Sequence, residues 1–180
     1  MTTDELKQLV ISYAQGYGID PAIALAQMAR ESGWRQDVIF GPFVGAAGER
    51  GISQFTPATW ASFGSGPHTN AYDPDQAMTA WGKYMAYLSG LFGGDISKML
   101  TAYNGGPAHL TNPGRYGPPS QAALRYASEI MANAQQYSVP PVEPAPDQFM
   151  PVDQTGAEEE GIPLLWLALG GLVLIVVLAR

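Results

Sequence analysis

Three times in this chain an Asp or Thr stands directly before proline: Asp20-Pro21, Thr56-Pro57 and Asp73-Pro74. The pairing is a helix start. An Asp or Thr side chain accepts orphan amide hydrogens, and proline in the first turn has no hydrogen bond to lose. The residues after each pair agree with this. After Asp20, a helix runs to about Ser32, with Gly33 as terminator. After Thr56, a short helix is expected through Trp60. After Asp73, the residues Ala77, Met78, Trp81, Tyr84, Met85 and Leu88 form an apolar stripe whose ordinary role is core packing.

Three more helices complete the pattern. In residues 3–17, Leu6, Leu9, Val10, Tyr13, Ala14 and Tyr17 share one face, Asp4 and Glu5 suit the N-terminal dipole, and Gly16 and Gly18 stop the run. Gly93-Gly94 breaks the chain before Asp95, which caps a helix carrying Ile96, Met99, Leu100 and Tyr103. Ser120 opens a last helix over 120–137. Since no period-two alternation stands out, the expected domain is mainly α. The irregular stretch 33–55 has room for a small hairpin near 38–55.

Charge divides the chain into parts. Residues 1–137 carry 10 acids and 8 bases, residues 138–160 carry 6 acids and no base, and Arg180 ends the chain. The acidity belongs to the tail, and no basic footprint of a nucleic-acid binder is present. There is no cysteine, which removes disulfides, thiol nucleophiles and Cys-based zinc sites. His68 and His109 have no partner at metal-ligand spacing and are expected in loops. No metal or organic cofactor is implied.

Residues 138–160 hold five prolines and few large apolar groups, the composition of a semi-extended linker. Residues 161–179 are a run of 19 without a charge. As a helix this run would be roughly 28 Å long, close to a hydrocarbon core of about 30 Å. The expected organisation is therefore a domain at 1–137, an acidic Pro-rich linker at 138–160 and a transmembrane helix at 161–180. Arg180 on the inner side places the domain outside. Met1–Lys7 is polar and does not read as a signal peptide.

The chemistry is expected at Glu31. Ala24, Met28 and Glu31 are spaced i, i+4, i+7, with Leu25 and Gln27 flanking. The carboxyl thus projects from the face that meets the core. A desolvated carboxyl stays protonated to higher pH and donates a proton to a leaving oxygen. The spacing also fits a second reading, an ordinary solvated glutamate near a helix end.

Two downstream segments bear on this choice: Gly51-Ile52-Ser53-Gln54-Phe55-Thr56-Pro57 and Ala102-Tyr103-Asn104-Gly105-Gly106-Pro107. With Glu31-Ser32 they stand in the order and rough spacing of the soluble-type (SLT-domain) lytic transglycosylases, which the chain resembles over residues 5–137. The resemblance implies the goose-lysozyme-like fold and cleavage of the β-1,4 bond between N-acetylmuramic acid and N-acetylglucosamine in peptidoglycan. It also implies a 1,6-anhydro product, with Glu31 as the acid. By the same resemblance Gln54 lines the groove, Tyr103 lies near the acid and the bound sugar, and Asn104 and Tyr126 match family positions. For Asn104 and Tyr126 a loop-tying role stands beside substrate binding.

The chain departs from the family pattern at Ile52-Ser53, at Thr56 and in extra residues at 40–50. Glu49 lies in that insertion. As a second carboxylate it would turn the reaction into lysozyme-type hydrolysis; its other reading is a solvated loop acid. A third reading has no catalysis, only a membrane-tethered wall-binding or structural protein. Domain order suggests a virion enzyme of a membrane-containing bacteriophage, with the lipid bilayer and other virion membrane proteins as partners. The alternative setting is the bacterial inner membrane, with the domain facing the periplasm.

Overall fold

A computed structural model describes residues 1–137; the expected linker and membrane span, 138–160 and 161–180, lie outside the described residues. Nine α-helices and one 3-10 helix make up the regular structure among the described residues. They are α1 (Thr3–Gly16), α2 (Pro21–Ser32), α3 (Gln36–Ile39), α4 (Pro57–Phe63), α5 (Pro74–Phe92), α6 (Ile96–Gly105), α7 (Ala108–Thr111), α8 (Pro113–Tyr116) and α9 (Gln121–Ala134). The 3-10 helix, His68–Tyr72, precedes α5.

The capping logic holds at each expected start. The Asp20 carboxylate accepts from the Ala22 amide at 2.8 Å, Thr56 from Thr59 at 3.2 Å, and Asp73 from Asp75 at 3.0 Å. Asp95 and Ser120 do the same for Lys98 and Ala123, both at 3.1 Å. Gly33 closes α2 in the left-handed region at φ 59°. In addition, Thr2 and Glu5 form a capping box at the start of α1.

Four expectations change. The hairpin near 38–55 is instead the short α3 and, further on, an isolated antiparallel bridge between Arg50 and Phe55. The segment has no alternating apolar face for a ladder to bury, so one bridge pinches off a turn. Helix α4 runs three residues beyond Trp60 to Phe63, because Phe63 packs on the core beside Tyr84. Helix α9 stops at Ala134. The histidines are not in loops: His68 starts the 3-10 helix and His109 lies in α7.

The main core gathers Leu6 and Val10 of α1, Met28 of α2, Trp60 of α4, and Met78, Trp81, Met85 and Leu88 of α5. A smaller cluster joins Ile23 and Ala26 of α2 with Leu100 of α6 and Tyr126, Ala127 and Ile130 of α9. Tyr103 packs against both clusters. Helices α2, α6 and α9 therefore meet along the seam between the two. The last turn of α2 and the C-terminal half of α6 bring their polar residues to that seam.

Candidate active site

Glu31 is the penultimate residue of α2 and is partly buried. Its Oε1 accepts a hydrogen bond from the Tyr126 hydroxyl, carried across from α9. Burial pushes the carboxyl up to about 7 from an ordinary 4.5. The Tyr126 hydrogen bond and the Arg30 charge pull the other way, and the Glu49 charge adds to the rise. The acid is thus poised to hold or release a proton near neutrality, which general acid–base work requires. An ion pair of Arg30 with Glu129, 3.3 Å, ties α2 to α9 at the same level.

Tyr126 is 4% exposed. Its ring lies parallel to that of Tyr103, with centroids 6.3 Å apart and planes within 2°. Tyr103 in turn packs on Tyr84 at 5.4 Å and Phe55 at 5.8 Å. Burial, and then the nearby Glu31 charge, holds both Tyr103 and Tyr126 well above the usual phenol range. At any working pH they are neutral donors. The Tyr103 hydroxyl donates to the Ser53 carbonyl at 2.7 Å, which fastens α6 to the turn at 50–55.

That turn has a demanding backbone. Gly51 has φ 74°, and a Cβ there would lie 1.7 Å from the Ala71 carbonyl oxygen. Gln54 adopts φ 48°, uncommon for a residue with a side chain. Its amide and its side-chain Nε2 both donate to the Gly51 carbonyl, at 3.2 and 2.8 Å. A non-glycine held in this region costs on the order of 1 kcal/mol or more, and such residues cluster at functional sites.

The structure brings Tyr126 and Tyr103 to Glu31. It joins the Gln54 turn to this group through Ser53, and it sets Asn104 beside Tyr103 in the last turn of α6. Neither Gln54 nor Asn104 hydrogen-bonds to Glu31 among the described residues. Glu49 is partly buried, its carboxylate accepting from the Ala47 amide at 2.8 Å within its own loop. Ser32 turns away from Glu31, capping the helix end through Met28 and the Trp34 amide.

Two residues of the site were not singled out by the motifs. Gln27 is fully buried, donates to Tyr126 at 3.1 Å and accepts from the Trp81 indole at 3.0 Å. The signal for it was a glutamine one turn before Glu31 on an apolar flank, a polar group that must have a buried partner. Trp81 gave no signal, since its partner is 54 residues away.

A helical domain holding one protonatable carboxyl against two stacked phenols has the parts of an acid catalyst. The chain belongs to the family of the transglycosylase SLT domain, whose model matches residues 8–123. It is similar to the peptidoglycan transglycosylase gp16 of Escherichia phage T7, 33% identical over 90 residues, covering 48% of this chain and 7% of that protein. Its fold resembles an inactive mutant of the lytic transglycosylase Slt from Pseudomonas aeruginosa. There the identity is 17% and the TM-score 0.58, over 71% of this chain and 23% of that one. It also resembles the 70 kDa soluble lytic transglycosylase from Escherichia coli, at 21% identity and TM-score 0.58 over the same shares. The chain spans less than a quarter of the length of each of these relatives.

Proposed function

We propose that this chain is a peptidoglycan lytic transglycosylase that cleaves the β-1,4 bond between N-acetylmuramic acid and N-acetylglucosamine. The observation that carries the reading is the Glu31 carboxyl, pushed up to about 7 by burial and held by Tyr126. Family membership and the phage relative support it.

The neutral Glu31 gives its proton to the bridging oxygen as the bond from muramyl C1 breaks. The resulting carboxylate takes the proton of the muramyl C6 hydroxyl, and O6 closes on C1. The product is a 1,6-anhydro sugar, no water is consumed, and Glu31 ends as it began. Positive charge develops at C1 between the two proton transfers. The carboxylate and the substrate's own acetamido group offset it, as in glycosidases that act without a second carboxylate. In this scheme Gln54, Tyr103 and Asn104 bind the glycan, and Tyr126 orients the acid.

The test is mass spectrometry of muropeptides released from purified peptidoglycan by the wild-type chain and by Glu31→Gln. Expected are products one water lighter than reducing sugars, with release falling at least about 10²-fold in the variant. Absence of products, where a control enzyme cuts, would favour a wall-binding role. One observation favours a second reaction: the Glu49 charge reaches Glu31. If Glu49 activates water, the products are reducing-end sugars and Glu49→Gln abolishes them. Transglycosylation predicts anhydro products that persist in Glu49→Gln.

The sequence of the tail supports a membrane-tethered form, with an acidic linker before 19 uncharged residues. Our reading of its setting is a phage virion that opens the wall locally during genome delivery. The alternative is a bacterial inner membrane with the domain facing the periplasm. Immunodetection in purified particles against host envelopes separates these settings.

A further inference from the structure

Behind Tyr126 lies a chain of donors that runs one way. The Trp81 indole Nε1 donates to Gln27 Oε1 at 3.0 Å, Gln27 Nε2 donates to Tyr126 Oη at 3.1 Å, and Tyr126 Oη donates to Glu31 Oε1. The directions are fixed by chemistry. An indole N–H only donates, so the Gln27 carbonyl must face Trp81 and its amino group must face Tyr126. An amino group of this kind also only donates. The Tyr126 oxygen therefore accepts from it, and its single proton is left for Glu31. Gln27 and Trp81 are both 0% exposed, so solvent offers neither an alternative partner.

We infer that Gln27 is a positioning residue of the reaction: held by Trp81, it locks the Tyr126 hydroxyl onto Glu31 Oε1 and leaves Oε2 to carry and exchange the reacting proton. The inference rests on the reading of Glu31 as the catalytic acid. It adds a division of labour between the two carboxyl oxygens. A carboxyl free to rotate presents its proton on either oxygen; one anchored through Oε1 presents it on the other. The same anchoring applies in both halves of the cycle. The oxygen that protonates the bridging atom is the one that later collects the C6 hydroxyl proton, so the acid has no need to turn between steps.

Donors in series polarise one another, so the chain also favours the charged form of Glu31 against burial. The other groups acting on Glu31 are Arg30 on its own helix, Glu49 from the loop and, facing it from α6, the Tyr103 phenol. Arg30 and Glu49 oppose each other in sign, and the Tyr103 hydroxyl is committed to Ser53.

The deciding experiment monitors the Glu31 carboxyl directly, by ¹³C NMR titration of the full chain labelled at glutamate, with Glu31→Gln assigning the resonance. Gln27→Met keeps the volume and removes both polar atoms. Trp81→Phe keeps an aromatic ring, removes the indole donor and frees the Gln27 amide to reverse. Removing donors from the charged form favours the neutral one, so the midpoint rises in both variants, by about half a pH unit or more. The alkaline limb of the rate profile moves up with it, and kcat falls more than KM changes. An unchanged midpoint in folded variants would overturn the inference and leave Gln27 as packing. If Gln27→Met does not fold, Trp81→Phe decides. A wild-type chain that releases no muropeptides would sink the catalytic reading, while the titration still reports on the relay.

Discussion

Glu31 has a consequence for stability that is separate from turnover. Its carboxyl sits near 7 in the fold against an ordinary 4.5. Between those values the native state binds more protons than the unfolded chain, so stability falls as pH rises through the window. This contribution is fully present below about 4.5 and lost above about 7, up to about 3 kcal/mol in all. Gln at this position is neutral throughout. Glu31→Gln should therefore melt close to wild type near pH 4 and clearly above it at pH 8. Calorimetry at both values checks this, and parallel melting curves would mean that the carboxyl is well solvated. Helix spacing alone fits a solvated glutamate as well as a core-facing one, so Glu31 was legible as the candidate acid only with the family resemblance beside it. Its control was not: Tyr126 was legible only as a family position, and the amide and indole behind it join residues 54 and 99 positions apart.

Among the elements, the longer helices were readable because their causes are local, while the four-residue α3, α7 and α8 were not expected. Asp73 shows how much one residue decides: it accepts from the Asp75 and Gln76 amides and from the Gln76 side chain at the head of the 19-residue α5. Asp73→Ala should cost about 1 kcal/mol in urea denaturation, with activity retained at temperatures where the variant is folded. The turn at 50–55 is a contrasting case. Its shape depends on a contact with Ala71, whose carbonyl leaves no space for a side chain at Gly51. The glycines and phenylalanines of residues 33–55 mark an irregular stretch but carry no information about that neighbour, which left room for a small hairpin. Gly51→Ala combines a positive φ with a clash against backbone. It should destabilise by several kcal/mol or prevent folding. If it folds, glycan cleavage should fall with it, because Ser53 anchors Tyr103 from this turn. A soluble, active Gly51→Ala protein would show that the turn accommodates a side chain by moving away from Ala71.

For the whole molecule, the proposed function raises the question of how a domain that cuts the wall would be kept at its place of action. Among the described residues no helix is long and apolar enough to cross a membrane. Residues 1–137 also carry a net charge of only −2. An electrostatic attachment to anionic lipid would need a basic patch and would weaken with salt. The tail has the opposite composition, with six acids in 138–160 and then 19 residues without charge. Attachment through that run would be hydrophobic and insensitive to salt. Vesicles of neutral phosphatidylcholine separate these mechanisms. The full chain should float with them in a density gradient at both low and high salt, and a chain ending at residue 160 should stay at the bottom. Flotation of the shortened chain would move the attachment into the domain. Failure of the full chain to float would end the anchor proposal and leave the enzyme reading, which rests on Glu31, untouched.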